Sequence, residues 1–365
     1  MKAGTGYPLA SPLFMVMDDP ILHQFITYLA VKKSEQESEP EIATRIELSS
    51  EFISSVRESF QKHILDGERH LHVLAHLLAS VFLKGDFELY SNVIGLLPDD
   101  DERPFLLRER ITRETLFSVT DIDLGRTVLD NFRYQQDGRW VPLMLSANFV
   151  EYIPVAGPPS GVNRLTSRVK AEEELVNKLA DELFSIDELI NRDKQLRKYS
   201  KFIKDVFGIK IVCEDEATCW QIDEELHKLT VSNSRDEFVE DLETRTEEVA
   251  LDDPDCPLLA FIESKDYLSP ESERLKRSGW RAVKSVVNWH DRLFEIQIQP
   301  LTNYYLELDH MAGPSHRSHK RRRDSVRDEI AERIPLYGFY RDLLKMIFVG
   351  TPRSFEYGKA SVVIN

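Results

Sequence analysis

Residues 292–300 have the sequence RLFEIQIQP, in which apolar and polar side chains alternate. In an extended strand this alternation places the phenylalanine and both isoleucines on one face, and Glu295, Gln297 and Gln299 on the other. The segment therefore predicts a β-strand with one apolar face in the core and one polar face. A strand with a solvent-exposed face gives the same alternation, so this strand alone does not identify a functional site.

The surrounding sequence predicts a mixed sheet flanked by helices. The apolar run 282–289 precedes this strand, and the two-residue connection His290–Asp291 predicts a hairpin between them. Two further strands are predicted, at 208–214 and 257–263. Helices are predicted from about Ser167 onward, at 216–229, at 301–312 and at 324–347. Strands and helices in this order predict an α/β (α+β) fold.

The first part of the chain shows mainly helical spacing of apolar residues. Helices are predicted at 18–32, 49–65, 70–84 and 86–96, and short β-like pieces such as LFSVT and WVPLML between about 115 and 155. The stretch IPVAGPPSG at 153–161 is rich in Pro and Gly and predicts a domain boundary. We therefore expect a mainly helical domain at 1–157, an α/β domain at 158–350 and a tail at 351–365.

Composition limits the classes of function. Hydrophobic residues make up 42% and charged residues 30% of the 365 residues, which is typical of a globular protein. The formal net charge of −16 disfavours broad affinity for nucleic acid, so a polyanion needs a local basic cluster such as 317–323. That run is either a solvated segment or lies beside a phosphate site. No apolar stretch reaches the roughly 20 residues of a membrane span, and a cytoplasmic location without membrane contact is expected.

The cysteines and histidines do not predict a metal centre from the sequence. Cys213, Cys219 and Cys256 lack CxxC spacing and are interpreted as small buried hydrophobes. His72 and His76 are one helical turn apart, but the glutamate of an HExxH motif is missing, which favours core or surface histidines.

Six short motifs occur in an order that resembles a known family. They are SRVK at 167–170, DVFGIK at 205–210, KDY at 265–267, KRSGW at 276–280, EIQIQ at 295–299 and ELDH at 307–310. Each motif is weak alone, but together they resemble the RelA/SpoT-homologous alarmone synthetases, of the monofunctional or small type. The resemblance covers about half of the chain.

The resemblance implies a nucleotidyltransferase-like fold and a pyrophosphokinase that uses ATP as donor and GTP or GDP as acceptor. It implies catalytic and Mg²⁺-binding roles for Asp205 and Glu295. The residues implied to bind ATP are Arg168, Lys170 and Lys210. The residues implied to lie on the acceptor side are Lys276, Trp280, Lys284, Gln297 and His310. Magnesium prefers one or two carboxylates together with phosphate oxygens, which agrees with the implied pair.

The sequence departs from the family pattern mainly on the acceptor side. Trp280 replaces a tyrosine that stacks on guanine, Lys284 replaces a histidine, and Gln299 and Pro300 replace arginine and threonine. Two alternatives therefore stay open: a toxin-type enzyme whose acceptor is the tRNA 3′ end or an adenosine nucleotide, and an inactive nucleotide-binding module. The His-Asp pattern of the family's hydrolase domain is not found in the first half, so hydrolysis is not expected. That half is expected to serve regulation of the enzyme or homo-oligomer formation.

Overall fold

The computed structural model describes the chain in sections. These are residues 19–39, 41–97, 104–132, 134–136, 138–141, 143–158, 161–169, 176, 180, 183, 207–231, 256–272, 279–290, 292–312, 330–332 and 336–365. The chain forms two compact units, each built from separate segments. Unit 1 comprises 1–66, 170–206 and 322–365, and unit 2 comprises 67–169 and 207–321.

Unit 2 contains an eight-stranded mixed sheet with the order β3-β2-β6-β7-β8-β11-β10-β9. Its strands are β2 (Phe87–Leu96), β3 (Phe105–Ile111), β6 (Met144–Pro154), β7 (Val162–Val169), β8 (Phe207–Cys213), β9 (Ala260–Asp266), β10 (Val283–Trp289) and β11 (Arg292–Pro300). The β11–β8 pair is parallel and the other neighbouring pairs are antiparallel. A mixed sheet flanked by helices is thus confirmed. The short strands β4 (Tyr134–Gln136) and β5 (Arg139–Val141) form a separate hairpin.

The structure divides the chain differently from the boundary expected at 157/158. That position lies in the connection between β6 and β7, which are antiparallel neighbours in one sheet. Gly157 and Gly161 have positive φ angles of 87° and 71°, so the Pro- and Gly-rich stretch turns the chain back to the sheet. The same residue types mark turns and linkers, and here they form a turn.

One face of the sheet is apolar and covered by helices. The second half of α2 (Ser50–Leu83) is almost entirely buried, and a side chain at Gly67 would collide with the ring of Phe207. Phe207 of β8 contacts Phe294 of β11 with ring centroids 5.9 Å apart. Helix α5 (Glu216–His227) is held by Cys219, which packs beside Cys213; both are buried free thiols, as interpreted from the sequence. Two short helices, α3 (Arg113–Ser118) and α4 (Asp121–Asn131), precede β4.

Unit 1 is held together by residues far apart in the sequence. Its helices α1 (Pro20–Ser38), the first half of α2 and α7 (Tyr337–Phe348) share one hydrophobic core. A three-stranded sheet has the order β1-β13-β12, from β1 (Thr44–Leu48), β13 (Ala360–Ile364) and β12 (Phe355–Tyr357). The Arg57 guanidinium donates to the Met346 carbonyl at 2.8 Å and also to those of Ile347 and Gly350, so it satisfies carbonyls at the end of α7.

Several predicted elements differ in the structure. Residues 86–96, predicted as a helix, form β2, whose β-branched Val93 and Ile94 lie in a strand buried on both faces. LFSVT, predicted as a strand, belongs mainly to α3, because the Thr112 side chain caps its first turn. The helix expected from Ser167 is wrong at its start, since 162–169 is a strand.

The terminal segments also differ from expectation. In its described residues, the segment 1–157 contains four helices and also contributes six strands, β1 to β6. The expected tail at 351–365 contains β12 and β13, which pair within unit 1. The helix predicted at 18–32 extends further, since α1 runs to Ser38 through the charged stretch that follows residue 32. None of the helices in the described part of the chain has the length and apolar character needed to cross a membrane.

Candidate functional site

The face of the sheet opposite the helix-covered one carries polar and charged side chains, and we call it the polar face. Residues directly opposite each other on neighbouring strands share a face. Across four strands, Lys284, Gln297, Lys210 and Thr166 are paired in register. The polar face, counted from β6 to β10, comprises Glu151, Arg164, Thr166, Arg168, Lys210, Lys284, Glu295, Gln297 and Gln299. Helix α6 (Leu301–Ala312) packs along it.

Glu295 is a buried carboxylate in this face. Its residue exposure is only 3%, so the polar side of β11 is not the solvent-exposed face that alternation alone allows. The Lys284 ammonium forms an ion pair with Glu295 Oε2, and the Gln297 side-chain amide donates to Oε1. Glu295, Lys284 and Gln297, which the family resemblance assigned to one site, are therefore in contact. A buried charge needs such partners to offset its loss of hydration.

A row across three strands places Arg168 and Glu295 on either side of a glycine. Gly208 of β8 pairs with Glu295 of β11 on one side and Arg168 of β7 on the other. Strand spacing sets the two outer backbones about 10 Å apart. A Cβ built at Gly208 would come within 4 Å of only one atom of the described residues, the Arg168 carbonyl oxygen at 3.9 Å. The glycine thus leaves space between a cation and a carboxylate.

Glu307 of α6 connects residues assigned to both substrates. It forms an ion pair with Lys210 Nζ at 2.6 Å, and accepts from Gln299 at 2.9 Å and from the Trp280 indole at 2.7 Å. Burial alone would raise the pKa of Glu307, but the charge of Lys210 and these hydrogen bonds lower it below its usual value. Asn303, one turn earlier, donates to Gln299 Oε1 at 2.7 Å. The carboxylate is thus held ionised and fixed in position.

Trp280 lies beside this network and is only half-buried. Gly279 before it has φ +77°, which confirms that the chain bends there with a backbone conformation favourable to glycine. The indole packs edge-on against Tyr267 of the KDY motif, with centroids 5.4 Å apart. Trp280 is not among the buried core residues. Its orientation is fixed by Glu307 and Tyr267.

A second buried carboxylate, Glu151 of β6, lies close to two arginines from other strands of the sheet. Arg164 approaches it at 2.9 Å and Arg108 at 3.4 Å, while the Tyr304 hydroxyl donates to it. The Arg164 guanidinium also lies 5.0 Å from the centre of the Tyr304 ring. Burial, followed by the charge of Glu151, raises the pKa of Tyr304, so its hydroxyl stays a hydrogen-bond donor.

Four of the predicted site residues cannot be placed with the others. Asp205, Lys170 and Lys276 lie outside the described residues, as does the basic run at 317–323. His310 is in α6, but its side chain is outside the described part. Their assignments stay predictions.

The sequence interpretation missed the two carboxylates that organise the rest of the polar face. Glu307 is the first residue of the ELDH motif, from which only His310 was selected. The spacing of Asn303 and Glu307 by one helical turn is a signal that was available, because both then face the sheet. No local signal marks Glu151, since β6 was assigned to a separate domain.

These features define the protein as a mixed α/β fold whose sheet presents one buried charged face. Among solved structures it is similar to small alarmone synthetase 1 from Bacillus subtilis bound to its product pppGpp, with 15% identity, TM-score 0.22, and coverage of 52% of this chain and 73% of that chain. It is also similar to a GTP pyrophosphokinase family protein from Streptococcus pneumoniae, with 18% identity, TM-score 0.25, and coverage of 52% and 74%.

Both structures are alarmone synthetase or GTP pyrophosphokinase structures, the family that the six motifs resemble. No protein-family model and no curated protein matches this sequence. At these identities and TM-scores, the likeness to the two structures does not establish an activity for this chain.

Proposed function

We propose that this protein is an ATP-dependent pyrophosphokinase that makes (p)ppGpp from GTP or GDP. The acceptor's 3′-oxygen attacks the β-phosphorus of ATP, the bond between the β-phosphorus and the oxygen bridging to the α-phosphorus breaks, and AMP leaves. The 3′-hydroxyl proton passes to a carboxylate base. Such a transfer requires in-line positioning and neutralisation of phosphate charge.

The row Arg168–Gly208–Glu295 is the observation that carries this proposal. It supplies a cation for donor phosphates on one side, a carboxylate for the acceptor hydroxyl on the other, and an intervening residue without a side chain. A general base of this kind typically contributes about 10² to 10⁴ in rate. A structural ion pair alone would not require the open position between the two charges.

The donor set also fits Mg²⁺. Glu295 is a buried carboxylate on the polar face, and Asp205 is only three positions before Gly208 in the sequence. These two carboxylates would hold the ion, whose chemistry there is to neutralise charge on the phosphate oxygens. The Lys284 ammonium pairs with Glu295, which supports a cation-attracting position at this carboxylate.

The network around Glu307 supports a division of the polar face into a donor side and an acceptor side. Lys210, one strand from Arg168, would contact ATP. Trp280 would stack its ring on the acceptor base, because it is an aromatic residue at the edge of this network and its indole N–H donates to Glu307, which fixes the orientation of the ring. Lys284 and Gln297 would lie next to the reacting hydroxyl through their contacts with Glu295.

Incubation with γ-labelled ATP and separate acceptors tests this function. The protein with GTP or GDP should give labelled (p)ppGpp and unlabelled AMP, because the γ-phosphate travels with the transferred group. The other arms contain ATP as acceptor or bulk tRNA. Label in tRNA or in an adenosine product, with none in the guanosine arms, would change the acceptor; no transfer in any arm would contradict the pyrophosphokinase proposal.

Substitution of the two carboxylates locates the chemistry. Glu295→Gln and Asp205→Asn should each lower turnover by at least about 10²-fold, because they remove base and metal-binding charge without removing volume. Glu263→Gln is the matched control, since Glu263 lies on β9 of the same sheet and pairs with Lys265 instead. Circular dichroism should show all three variants folded. Turnover near that of the control in either test variant contradicts the site.

A further inference from the structure

Unit 2 contains a second cluster of ionisable residues, on the opposite side of the sheet from the polar face. Glu68 and His72 are one helical turn apart on α2, and Asp121 is the first residue of α4. Asn148 of β6 donates to the Asp121 carbonyl, and Asp121 N–H donates to Glu68, so both elements are held in place. All three ligating residues are at least nine-tenths buried.

We propose that Glu68, His72 and Asp121 bind a divalent transition-metal cation that joins α2 to α4. Nitrogen and carboxylate oxygen donors in this combination suit ions such as Zn²⁺ and Mn²⁺. Because the site is buried and lies between two helices, the ion serves the fold of unit 2. The proposal is independent of the pyrophosphokinase site.

The distances fit donors that share one ion. His72 Nε2 lies 2.9 Å from Asp121 Oδ1 and 3.6 Å from Glu68 Oε1, and the ligand atoms all lie within 4.8 Å of one another. Metal bonds of about 2.1 Å at angles of 90° to 110° place neighbouring donors about 3.0 to 3.4 Å apart. The two measured separations lie close to this range.

The side-chain polar atoms of Asp121 and His72 have no hydrogen-bond partner among the described residues. Neither carboxylate oxygen of Asp121 accepts a hydrogen bond from the described residues, although that side chain is 2% exposed. His72 Nε2 is near Asp121 but is not aligned as a hydrogen-bond donor to it. Buried carboxylates without donors are rare, and a bound cation satisfies them. Two carboxylates can supply two negative charges, which match the charge of a divalent ion.

The alternative is a metal-free triad in which a protonated imidazole pairs with the two carboxylates. It predicts stability without metal and no response to added metal. A metal site instead predicts lower stability without metal and stabilisation by added metal. Measurements on the whole protein distinguish these two cases.

Equilibrium dialysis of the chelator-treated protein against Zn²⁺ or Mn²⁺, without nucleotide, tests the site. Wild type should retain about one equivalent of one of these ions, with a rise in Tm of about 5 to 10 °C at a hundredfold excess of free ion over Kd. Asp121→Asn and His72→Gln should retain none and show no rise. His70→Gln, which removes a histidine from another face of α2, should behave as wild type.

Spectroscopy keeps the test decisive if a variant is unstable. Co²⁺ added to the chelator-treated wild type should give a d–d absorption band that an excess of Zn²⁺ abolishes, and the band should persist in Glu295→Gln. Mg²⁺ alone should not displace Co²⁺, because it favours more oxygen ligands and keeps its water. Wild type that retains no ion, gains no Tm and gives no band overturns the proposal, as does equal binding by Asp121→Asn.

Discussion

The two faces of the unit 2 sheet bury carboxylates in different ways. On the polar face, Glu295, Glu307 and Glu151 each have a lysine or arginine as partner. On the helix-covered face, the ion-pair partner of Glu68 and Asp121 among the described residues is His72. Lysine and arginine therefore balance the buried carboxylates on the face where we propose that phosphates bind, whereas on the helix-covered face two buried carboxylates share one histidine.

The neighbouring residues Glu151 and Tyr152 show the same contrast within one strand. Glu151 points to the polar face, where Arg164 and Arg108 balance its charge. Tyr152 points the other way, fully buried beside Phe87 with ring centroids 5.7 Å apart. Both side chains are therefore buried to a similar degree, but Glu151 is surrounded by charged partners and Tyr152 by aromatic ones.

Glu151→Gln gives the largest expected change in stability. It leaves the half-buried Arg164 and the exposed Arg108 without their buried carboxylate, and breaking such a pair costs up to about 3 to 5 kcal/mol of unfolding free energy. Tyr152→Phe, on the other face of the same strand, should change that free energy by at most about 1 kcal/mol. Urea unfolding of both variants measures the difference. Equal effects would show that the two faces are not distinct in the way described.

Trp280→Ala is expected to have an intermediate effect, on acceptor binding. Loss of a base-stacking aromatic costs about 1 to 3 kcal/mol, a factor of about 5 to 150 in the acceptor KM, with the KM for ATP nearly unchanged. Trp280→Phe keeps an aromatic face but is smaller than the indole and lacks the N–H that binds Glu307, so it should recover part of the loss. A parallel rise in both KM values, with a lower Tm, would instead assign Trp280 to the fold.

The pH dependence of stability should show the smallest effect. The pKa of Glu307 is lowered in the folded state, so its stabilising contribution is complete above the unfolded pKa of about 4.3 and is lost as pH falls through the folded pKa. Glu307→Gln should therefore flatten the decline of unfolding free energy in the acidic range. Urea titrations at a series of pH values below about 5 compare the two proteins. An unchanged slope would mean that Lys210 and Trp280 do not hold this carboxylate ionised.

The part of the fold that could be predicted from sequence is the part formed by local pattern. The hairpin of β10 and β11, strand β8 and helix α5 were predicted within a few residues, because period-2 alternation and turn chemistry act over short distances. Segment 86–96 was assigned to a helix because its apolar residues also fit helical spacing. A strand buried on both faces lacks the alternation that would distinguish it.

Residues of the candidate site could be predicted only through the resemblance to a family. Glu295, Lys284 and Gln297, whose roles at the site stay predictions, are in contact, and Arg168 lies opposite Gly208. The central role of Glu307 depends on α6 packing along the sheet, and the cluster at His72 depends on a carboxylate 49 positions later. Neither packing nor long-range approach is encoded in a local pattern, so both required the structure.

The pairing of β1 with β13 has a consequence for how the protein is made. Thr44 pairs with Ala360 and Leu48 with Ile364, and β13 lies between β1 and β12. During translation, β1 leaves the ribosome long before its only sheet neighbour in the described residues has been synthesised. β1 therefore stays without this partner while the residues between the two strands are synthesised, which exposes the nascent chain to aggregation and to chaperone capture.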